Sequence, residues 1–175
     1  MKTLVLYRSK SGFVKKYAEW LAEELHADLA DAKTFSGNRF ADYDAVVFGG
    51  GLYVSGIYGL GIIKRNLKRL QGKRVAVFAS GASPPRPETV VKVRNHNFSA
   101  EQQAQVAFFY MRGGFDYGKL KPVDKVLMRL LKWRLMFKRE KTPDERGMLL
   151  AYRKPQDFTR RENIRPLVKY IRGIH

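Results

Sequence analysis

Residues 2–25, KTLVLYRSKSGFVKKYAEWLAEEL, decide the fold. The stretch opens with a short apolar run, Lys2 to Tyr7, that is typical of a buried β-strand. The small and polar residues 9–12 interrupt this run. Apolar residues then recur at helical spacing, with charged residues on the opposite face: Val14, Tyr17, Ala18, Leu21, Ala22 and Leu25 against Lys15, Lys16, Glu19, Glu23 and Glu24. A strand, a small-residue turn and an amphipathic helix in this order predict the opening of a βαβ unit.

The rest of the chain continues this alternation. Apolar runs predict further strands at 27–32, 44–48, 74–79 and 106–111. Two more helices are expected: one over 57–70, with Leu60, Ile63, Leu67 and Leu70 on one face, and one after a capping box of Thr159 and Glu162, with Ile164, Leu167, Val168 and Ile171 before Gly173. Near-continuous apolar strands alternating with helices predict an α/β fold, a five-stranded parallel sheet with helices on both faces. We expect one domain over residues 1–175.

Composition restricts the chemistry. The chain has no cysteine, and its three histidines lack metal-ligand spacing, so we predict neither a disulfide nor a metal site. The opening apolar run is too short for a signal peptide, and no stretch reaches the ~20 apolar residues of a spanning helix. We therefore expect a cytoplasmic protein, soluble or peripheral to the inner face of the membrane. Its net charge of +18 attracts polyanions, which include nucleic acid, anionic lipid and acidic proteins.

Three small-residue clusters follow the predicted strands, at residues 9–12, 49–51 and 80–83. In a parallel sheet the ligand binds beyond the carboxyl ends of the strands, so these clusters predict a site at one edge. The alternative is that such loops use glycine and serine for turn geometry alone.

The first cluster has the chemistry of a phosphate site. Ser9, Lys10, Ser11, Gly12, Phe13 and Val14 lie between the first strand and the first helix. A phosphate there would meet unpaired backbone N–H groups and the positive end of the helix dipole. The serine hydroxyls donate hydrogen bonds, and the lysines raise the local potential. The dinucleotide and nucleoside-triphosphate glycine motifs are both absent from the sequence.

This loop resembles the phosphate loop of the flavodoxin family, Ser/Thr-x-Ser/Thr-Gly-x-Thr. Ser9, Ser11 and Gly12 match, whereas Val14 stands where the family usually has threonine. One phosphate hydrogen bond is then missing, at a cost of ~1 kcal/mol. The resemblance implies a flavodoxin-like fold and flavin mononucleotide (FMN) as the cofactor.

The resemblance extends to two further flavin loops. Gly51, Leu52 and Tyr53 look like the second loop, and Ser80, Gly81 and Ala82 look like the third, which reaches the pyrimidine edge of the flavin. Tyr53 is the candidate to lie against the isoalloxazine; the alternative is an ordinary half-buried tyrosine. Within the superfamily, residues 110–117 resemble the start of a long insertion found in proteins related to bacterial menaquinone-dependent protoporphyrinogen dehydrogenase.

A basic helical insertion is expected at about 113–146. Within it, the helix predicted over 123–139 places apolar residues on one arc and cations on the other: Val123, Val126, Leu127, Leu130, Leu131, Trp133 and Phe137 against Lys125, Arg129, Lys132 and Arg139. Such a helix suits an anionic membrane surface. Two alternatives stay open: the apolar arc packs on its own domain, or it contacts a partner protein, including a second copy in a homodimer.

These features favour an FMN-dependent oxidoreductase that passes electrons through bound flavin, with a quinone or porphyrinogen substrate at the membrane surface. The alternative is a non-catalytic electron carrier that docks on a redox partner, although a basic surface suits basic reductases poorly. No nucleic-acid-binding signature is present, so we expect no specific nucleic-acid partner. No Ser/His/Asp set or carboxylate pair stands out, and we name no catalytic residue.

Overall fold

Five parallel strands form the central sheet. The computed structural model describes residues 1–53, 55–119, 122–152 and 155–174. The strands are β1 (Thr3–Arg8), β2 (Asp28–Asp31), β3 (Ala45–Tyr53), β4 (Gly56–Ile57), β5 (Arg74–Gly81), β6 (Ala107–Arg112), β7 (Gly114–Phe115) and β8 (Gln156–Asp157). The parallel order is β2-β1-β3-β5-β6, with β4 antiparallel to the end of β3, and β7 and β8 form a separate antiparallel pair. The predicted fold class is confirmed.

Helices cover both faces of this sheet. They are α1 (Phe13–Leu25), α2 (Gly61–Arg65), α3 (Pro87–Asn97), α4 (Ala100–Gln105), α5 (Pro122–Phe137), α6 (Pro143–Ala151) and α7 (Arg165–Arg172). Successive strand residues point to opposite faces. Leu4 and Leu6 of β1 join the core under α2, whereas Val5 joins the core under α1 and α7. The apolar runs are therefore buried on both sides, as a parallel sheet requires.

The helix predicted over 57–70 is wrong. Ile57 pairs with Leu52 in β4, and its N–H donates to Asn97 Oδ1 at 2.9 Å. Gly59 then takes a left-handed φ of +85°. Only Gly61–Arg65 is α-helical, and a separate 3-10 turn covers Leu67–Leu70 after Asn66, whose side-chain amide donates to the Ile62 carbonyl at 2.8 Å. The segment 57–70 therefore forms a short strand, a short helix and a 3-10 turn, with the side chains of Asn97 and Asn66 bonded to its backbone.

The predicted capping box at Thr159 is also wrong. The Thr159 N–H and hydroxyl both donate to Asp157 Oδ1, at 2.8 and 2.6 Å. A 3-10 turn covers Arg161–Ile164, and α7 begins at Arg165 without a side-chain cap. The rest of the prediction holds: Ile164, Leu167, Val168 and Ile171 are buried, and Gly173 closes the helix in the left-handed conformation.

The second glycine cluster lies inside a strand, where a loop was predicted. β3 continues through residues 49–51 to Tyr53. A Cβ on Gly49 would come within 2.1 Å of the Phe78 ring, so glycine is needed here for close packing. Helices α3 and α4 were not predicted. The first of them has a weak apolar pattern, with Val93 and Asn97 as its buried residues.

The apolar face of α5 is exposed. Val123, Trp133 and Phe137 expose 80%, 66% and 74% of their surface, whereas Leu135, outside the predicted arc, is buried. The alternative in which this arc packs on its own domain is therefore wrong for these residues. The helix ends at Phe137, so Arg139 lies beyond it. Leu120 and Lys121, inside the predicted insertion, lie outside the described residues.

Across the described ranges, none of the helices has both the length and the apolar character needed to cross a bilayer.

Candidate functional site

The sheet register brings the three predicted loops to one edge. Arg8, the last residue of β1, pairs with Gly50, and Gly51 pairs with Ser80. The loop after β1 therefore stands beside the ends of β3 and β5, at the switch point of the strand order.

The loop after β1 opens the N-terminus of α1. Gly12 has a left-handed φ of +93°, which glycine adopts without strain, and its N–H donates to Ser9 Oγ at 3.0 Å. A Cβ at Gly12 would have no heavy atom within 4 Å, so the space above the loop is open.

The first turn of α1 leaves its backbone donors available. The first intrahelical bond runs from the Lys16 N–H to the Gly12 carbonyl at 3.0 Å. The N–H groups of Phe13, Val14 and Lys15 therefore have no acceptor within the helix, and among the described residues no side chain caps them. The first turn carries no acidic residue. Open space, unpaired donors and nearby lysines fit the dianionic phosphate of FMN.

Two aromatic rings stand beside the phosphate loop. The ring centroids of Tyr53 and Tyr58 are 5.8 Å apart, edge to face. The Lys10 ammonium lies 3.9 Å from the Tyr53 centroid and 4.9 Å from that of Tyr58. Gly51 lies next to the loop, since a Cβ there would be in van der Waals contact with Val14 Cγ2, at 3.8 Å. Val14 itself is a buried core residue, 4% exposed.

The third loop is held by the strand beside it. Ser80 and Gly81 are the last residues of β5, and the Gly81 carbonyl accepts from the Gly113 N–H at 2.8 Å. Arg112 Nε donates to the Ala82 carbonyl at 3.0 Å. Within the described residues, Ser80 Oγ is the one buried side-chain polar atom without a hydrogen-bond partner. A buried hydroxyl without a partner costs free energy, so its presence calls for an explanation. A bound ligand that accepts from this hydroxyl would supply one.

The base of the insertion packs directly on this edge. A Cβ on Gly114 would come within 2.5 Å of Phe13 Cζ, and one on Gly113 within 2.3 Å of Ser80 Oγ. Glycine at both positions therefore lets the insertion contact the first and third loops. The Phe158 N–H donates to the Gly113 carbonyl at 2.9 Å, which closes the insertion at its base.

An aromatic cluster connects this base to α5. The Tyr152 ring lies 5.3 Å from Phe115 and 5.5 Å from Tyr117, centroid to centroid, and its hydroxyl donates to the Met128 carbonyl at 2.8 Å. Burial, together with the neighbouring Tyr117, raises the pKa of Tyr152 to about 12. The phenol therefore stays protonated at neutral pH and holds α5 against the cluster.

Sequence reasoning missed two residues of this edge. Tyr58 sits in a segment that reads as helix in the sequence, so no pattern marked it as a loop residue. The Arg112 guanidinium lies 3.7 Å from the Phe158 ring centroid. Its partner is 46 positions away in the chain, and spacing gives no signal for such a contact.

Residues 4–142 match the family described as Flavodoxin domain. No curated protein matches the chain.

Three solved structures are among those similar to this chain. Rubredoxin oxygen:oxidoreductase from Desulfovibrio gigas is 15% identical with a TM-score of 0.51, over 99% of this chain and 36% of that one. A flavodoxin from Streptococcus pneumoniae TIGR4 is 20% identical with a TM-score of 0.41, over 46% and 62%. The chain thus spans less than two thirds of either protein. A flavoprotein in complex with FMN from Lactobacillus acidophilus is 21% identical with a TM-score of 0.42, over 63% and 91%.

The family match covers most of the sheet and all three loops. It supports FMN as the cofactor and flavin-based electron transfer as the general function, in agreement with the expectation from the sequence. The chain belongs to the flavodoxin domain family.

Proposed function

We propose that this protein is an FMN-dependent oxidoreductase that works at an anionic membrane surface. Two features found together carry the proposal. One is the open, donor-rich loop at the N-terminus of α1. The other is the exposed apolar helix α5, which belongs to an insertion whose first residues, Gly113 and Gly114, pack on the same edge of the sheet.

The chain's own groups hold the cofactor. The amides of Phe13, Val14 and Lys15 and the hydroxyls of Ser9 and Ser11 donate to the phosphate. The buried Val14 supplies its amide but no hydroxyl, so the site has one donor fewer than the family pattern. FMN, when bound, supplies the one- and two-electron chemistry.

The second and third loops flank the flavin ring system in this proposal. Tyr53 offers an aromatic face, and Lys10, above that ring, places positive charge beside it. Positive charge near a flavin favours its reduced, anionic forms. Ser80, Gly81 and Ala82 line the opposite loop, where backbone groups and the Ser80 hydroxyl recognise a polar edge.

The exposed face of α5 supports the membrane part of the proposal. Its apolar side chains are uncovered, and cations accompany them along the insertion: Lys125, Arg129, Lys132, Arg134, Lys138, Arg139 and Lys141. Soluble monomers rarely expose a contiguous apolar patch of this kind. An apolar face bordered by cations matches the acyl boundary and headgroups of an anionic bilayer.

The contact between insertion and flavin loops suggests the substrate class. Gly113 and Gly114 begin the insertion that carries α5, and they contact Ser80 and Phe13. A lipid-soluble molecule captured by the helix would therefore be held by the same insertion that contacts the candidate flavin loops. We infer that the electron-transfer substrate is a quinone or a porphyrinogen.

Three measurements test this proposal. Purified protein titrated with FMN should quench flavin fluorescence and saturate at one flavin per chain; no binding would overturn the proposal. The flavin-loaded protein should cosediment with vesicles containing phosphatidylserine and not with neutral ones, and should reduce a soluble quinone analogue after photoreduction. A carrier that docks on proteins alone would bind flavin but neither vesicles nor quinone.

A further inference from the structure

A polar cleft of about 630 Å³ opens beside the end of β1, apart from the phosphate loop. Its lining includes Arg8, Lys33, Ile62, Arg65, Asn66 and Arg69. Ile62 belongs to the core on the face of the sheet opposite α1, so the cleft and the N-terminus of α1 lie on different faces. The volume is within the range of small-molecule sites, about 300–1,000 Å³.

The cationic side chains that line the cleft outnumber their carboxylate partners. Arg8 Nη1 pairs with Asp31 Oδ1 at 3.2 Å, and Arg69 donates to the Asn38 side chain. In the part of the chain that the structure describes, Lys33, Arg65 and Arg69 have no carboxylate within ion-pair distance. Three cations without counterions around one concave surface raise its potential and attract an anion.

Glycines shape the wall of the cleft. A Cβ on Gly61 would lie 2.7 Å from Arg65 Nη1, and one on Gly37 would lie 2.7 Å from Asn66 Oδ1. The guanidinium of Arg65 and the amide of Asn66 thus lie directly over bare backbone. A larger residue at Gly61 would displace the Arg65 guanidinium, and one at Gly37 would displace the Asn66 side chain.

We propose that this cleft binds a small organic polyanion through two or more carboxylate or phosphate groups. Arginine forks match both groups bidentately, and Lys33 adds a third positive charge. The cleft adjoins the proposed flavin site through one ring: Tyr58 has the Arg8 guanidinium 5.2 Å and the Lys10 ammonium 4.9 Å from its centroid. The inference goes beyond the proposed function, and it requires no bound flavin.

Calorimetric titration with inorganic pyrophosphate and, separately, with citrate tests this proposal. The protein is first saturated with FMN, so that the phosphate loop does not compete for the probe. The double variant Arg65→Gln, Arg69→Gln should lose at least tenfold in affinity for the probe that binds. The control Lys92→Gln, Arg94→Gln also removes two positive charges, but from exposed positions on α3, and should change affinity less than twofold.

The two probes distinguish the source of the anion. Tighter binding of pyrophosphate assigns a phosphate-bearing ligand, and tighter binding of citrate assigns a polycarboxylate. Equal weakening in both double variants would mean that general positive charge attracts the probe, and would overturn the proposal, as would the absence of saturable binding. Thermal unfolding of each variant verifies that it folds. Flavin absorbance reports separately on the proposed function.

Discussion

The Tyr17 hydroxyl donates to the Arg112 carbonyl at 2.6 Å and thereby connects the first helix to the last residue of β6. The same oxygen accepts from Asn163 Nδ2 at 2.7 Å and from the Arg160 N–H at 3.3 Å. The tyrosine is fully buried, and burial raises its pKa. Three separate segments, α1, the end of β6 and residues 160–163, therefore meet at one neutral phenol.

Replacement of this phenol should destabilise the fold. Tyr17→Phe leaves the Arg112 carbonyl and the Asn163 amide without their partner, which should cost about 1–3 kcal/mol of unfolding free energy. Chemical denaturation at pH 7 measures the loss. Tyr7→Phe, in which the tyrosine is only half-buried, serves as the control. Because the pKa of Tyr17 is raised, its contribution is present below pH 10 and disappears as the pH rises toward the folded pKa. Equal stability of Tyr17→Phe and the parent would contradict the role given to this hydroxyl.

Gly12 should be required for flavin binding. Gly12→Ala places a side chain at φ +93°, which costs roughly 1–2 kcal/mol, and the methyl group enters the open space above the loop. Gly72→Ala is a matched control, since Gly72 also has positive φ and nothing within 4 Å of its Cβ position. Both variants should lose similar stability, but Gly12→Ala alone should weaken FMN binding, by tenfold or more in a fluorescence titration. Parallel losses in both would count against the phosphate site.

Val14→Thr should strengthen flavin binding. It restores the hydroxyl that the family pattern has at this position, which should contribute about 1 kcal/mol, or roughly fivefold in affinity. Without FMN the same change buries a hydroxyl and should lower the melting temperature. Val168→Thr, at an equally buried valine of α7, provides the control for that cost and should leave FMN affinity unchanged. Unaltered affinity in Val14→Thr would show that the phosphate is out of reach of this side chain.

The exposed aromatic residues of α5 should govern membrane binding. Trp133→Gln with Phe137→Gln removes two side chains that are 66% and 74% exposed, and should lower cosedimentation with phosphatidylserine vesicles at least fivefold. The melting temperature and the FMN affinity should not change. Val91→Gln with Ile174→Gln removes exposed apolar side chains elsewhere and should leave vesicle binding intact. If the two double variants bind vesicles alike, α5 is not the membrane contact.

The Lys16–Asp157 pair should contribute pH-dependent stability. Burial alone would raise the pKa of Asp157, but hydrogen bonds from Thr159 and Lys16 outweigh it and lower the pKa below 3.8. The ionised carboxylate therefore stabilises the fold above pH 3.8, and this contribution is lost as the pH falls through the lowered pKa. The pair is 2.9 Å long with both side chains more than 40% exposed, so Asp157→Asn should cost less than about 1 kcal/mol at pH 7. Denaturation at pH 7 and pH 3, with Asp42→Asn as the charge control, measures the difference.

The sequence predicted those parts of the fold that depend on continuous apolar runs. The strands around Val5, Val47 and Val77 are buried on both faces. A strand buried on both faces needs apolar residues at successive positions, so an uninterrupted apolar run predicts it. Prediction failed where one side chain redirects the backbone. Asn97 lies 40 positions from Ile57 and accepts from its N–H, where Ile57 pairs with Leu52 in β4. Asp157 accepts from both the N–H and the hydroxyl of Thr159, so Thr159 does not cap the helix.

For the candidate site too, the sequence could indicate the residues that are close together in the chain but not the contacts between distant segments. Ser9, Gly12 and Val14 are adjacent in sequence, so their loop could be recognised from local pattern alone. The contacts of Tyr58 with Lys10, and of Gly114 with Phe13, join distant segments and depend on the finished topology. The cleft around Arg65 has the same character, because its cations come from separate parts of the chain.

The small pair of β7 and β8 has a consequence for the history of this protein. The polypeptide leaves the sheet after Arg112 and comes back at Phe158, whose amide meets the Gly113 carbonyl. Gly113, where the chain leaves the sheet, and Phe158, where it returns, are joined by one hydrogen bond. The two ends of the insertion are therefore close together, and a longer insertion costs little extra loop-closure entropy. The part of the insertion beyond β7 and before β8 can therefore change in length, while the β7–β8 pair keeps its contacts with the candidate site.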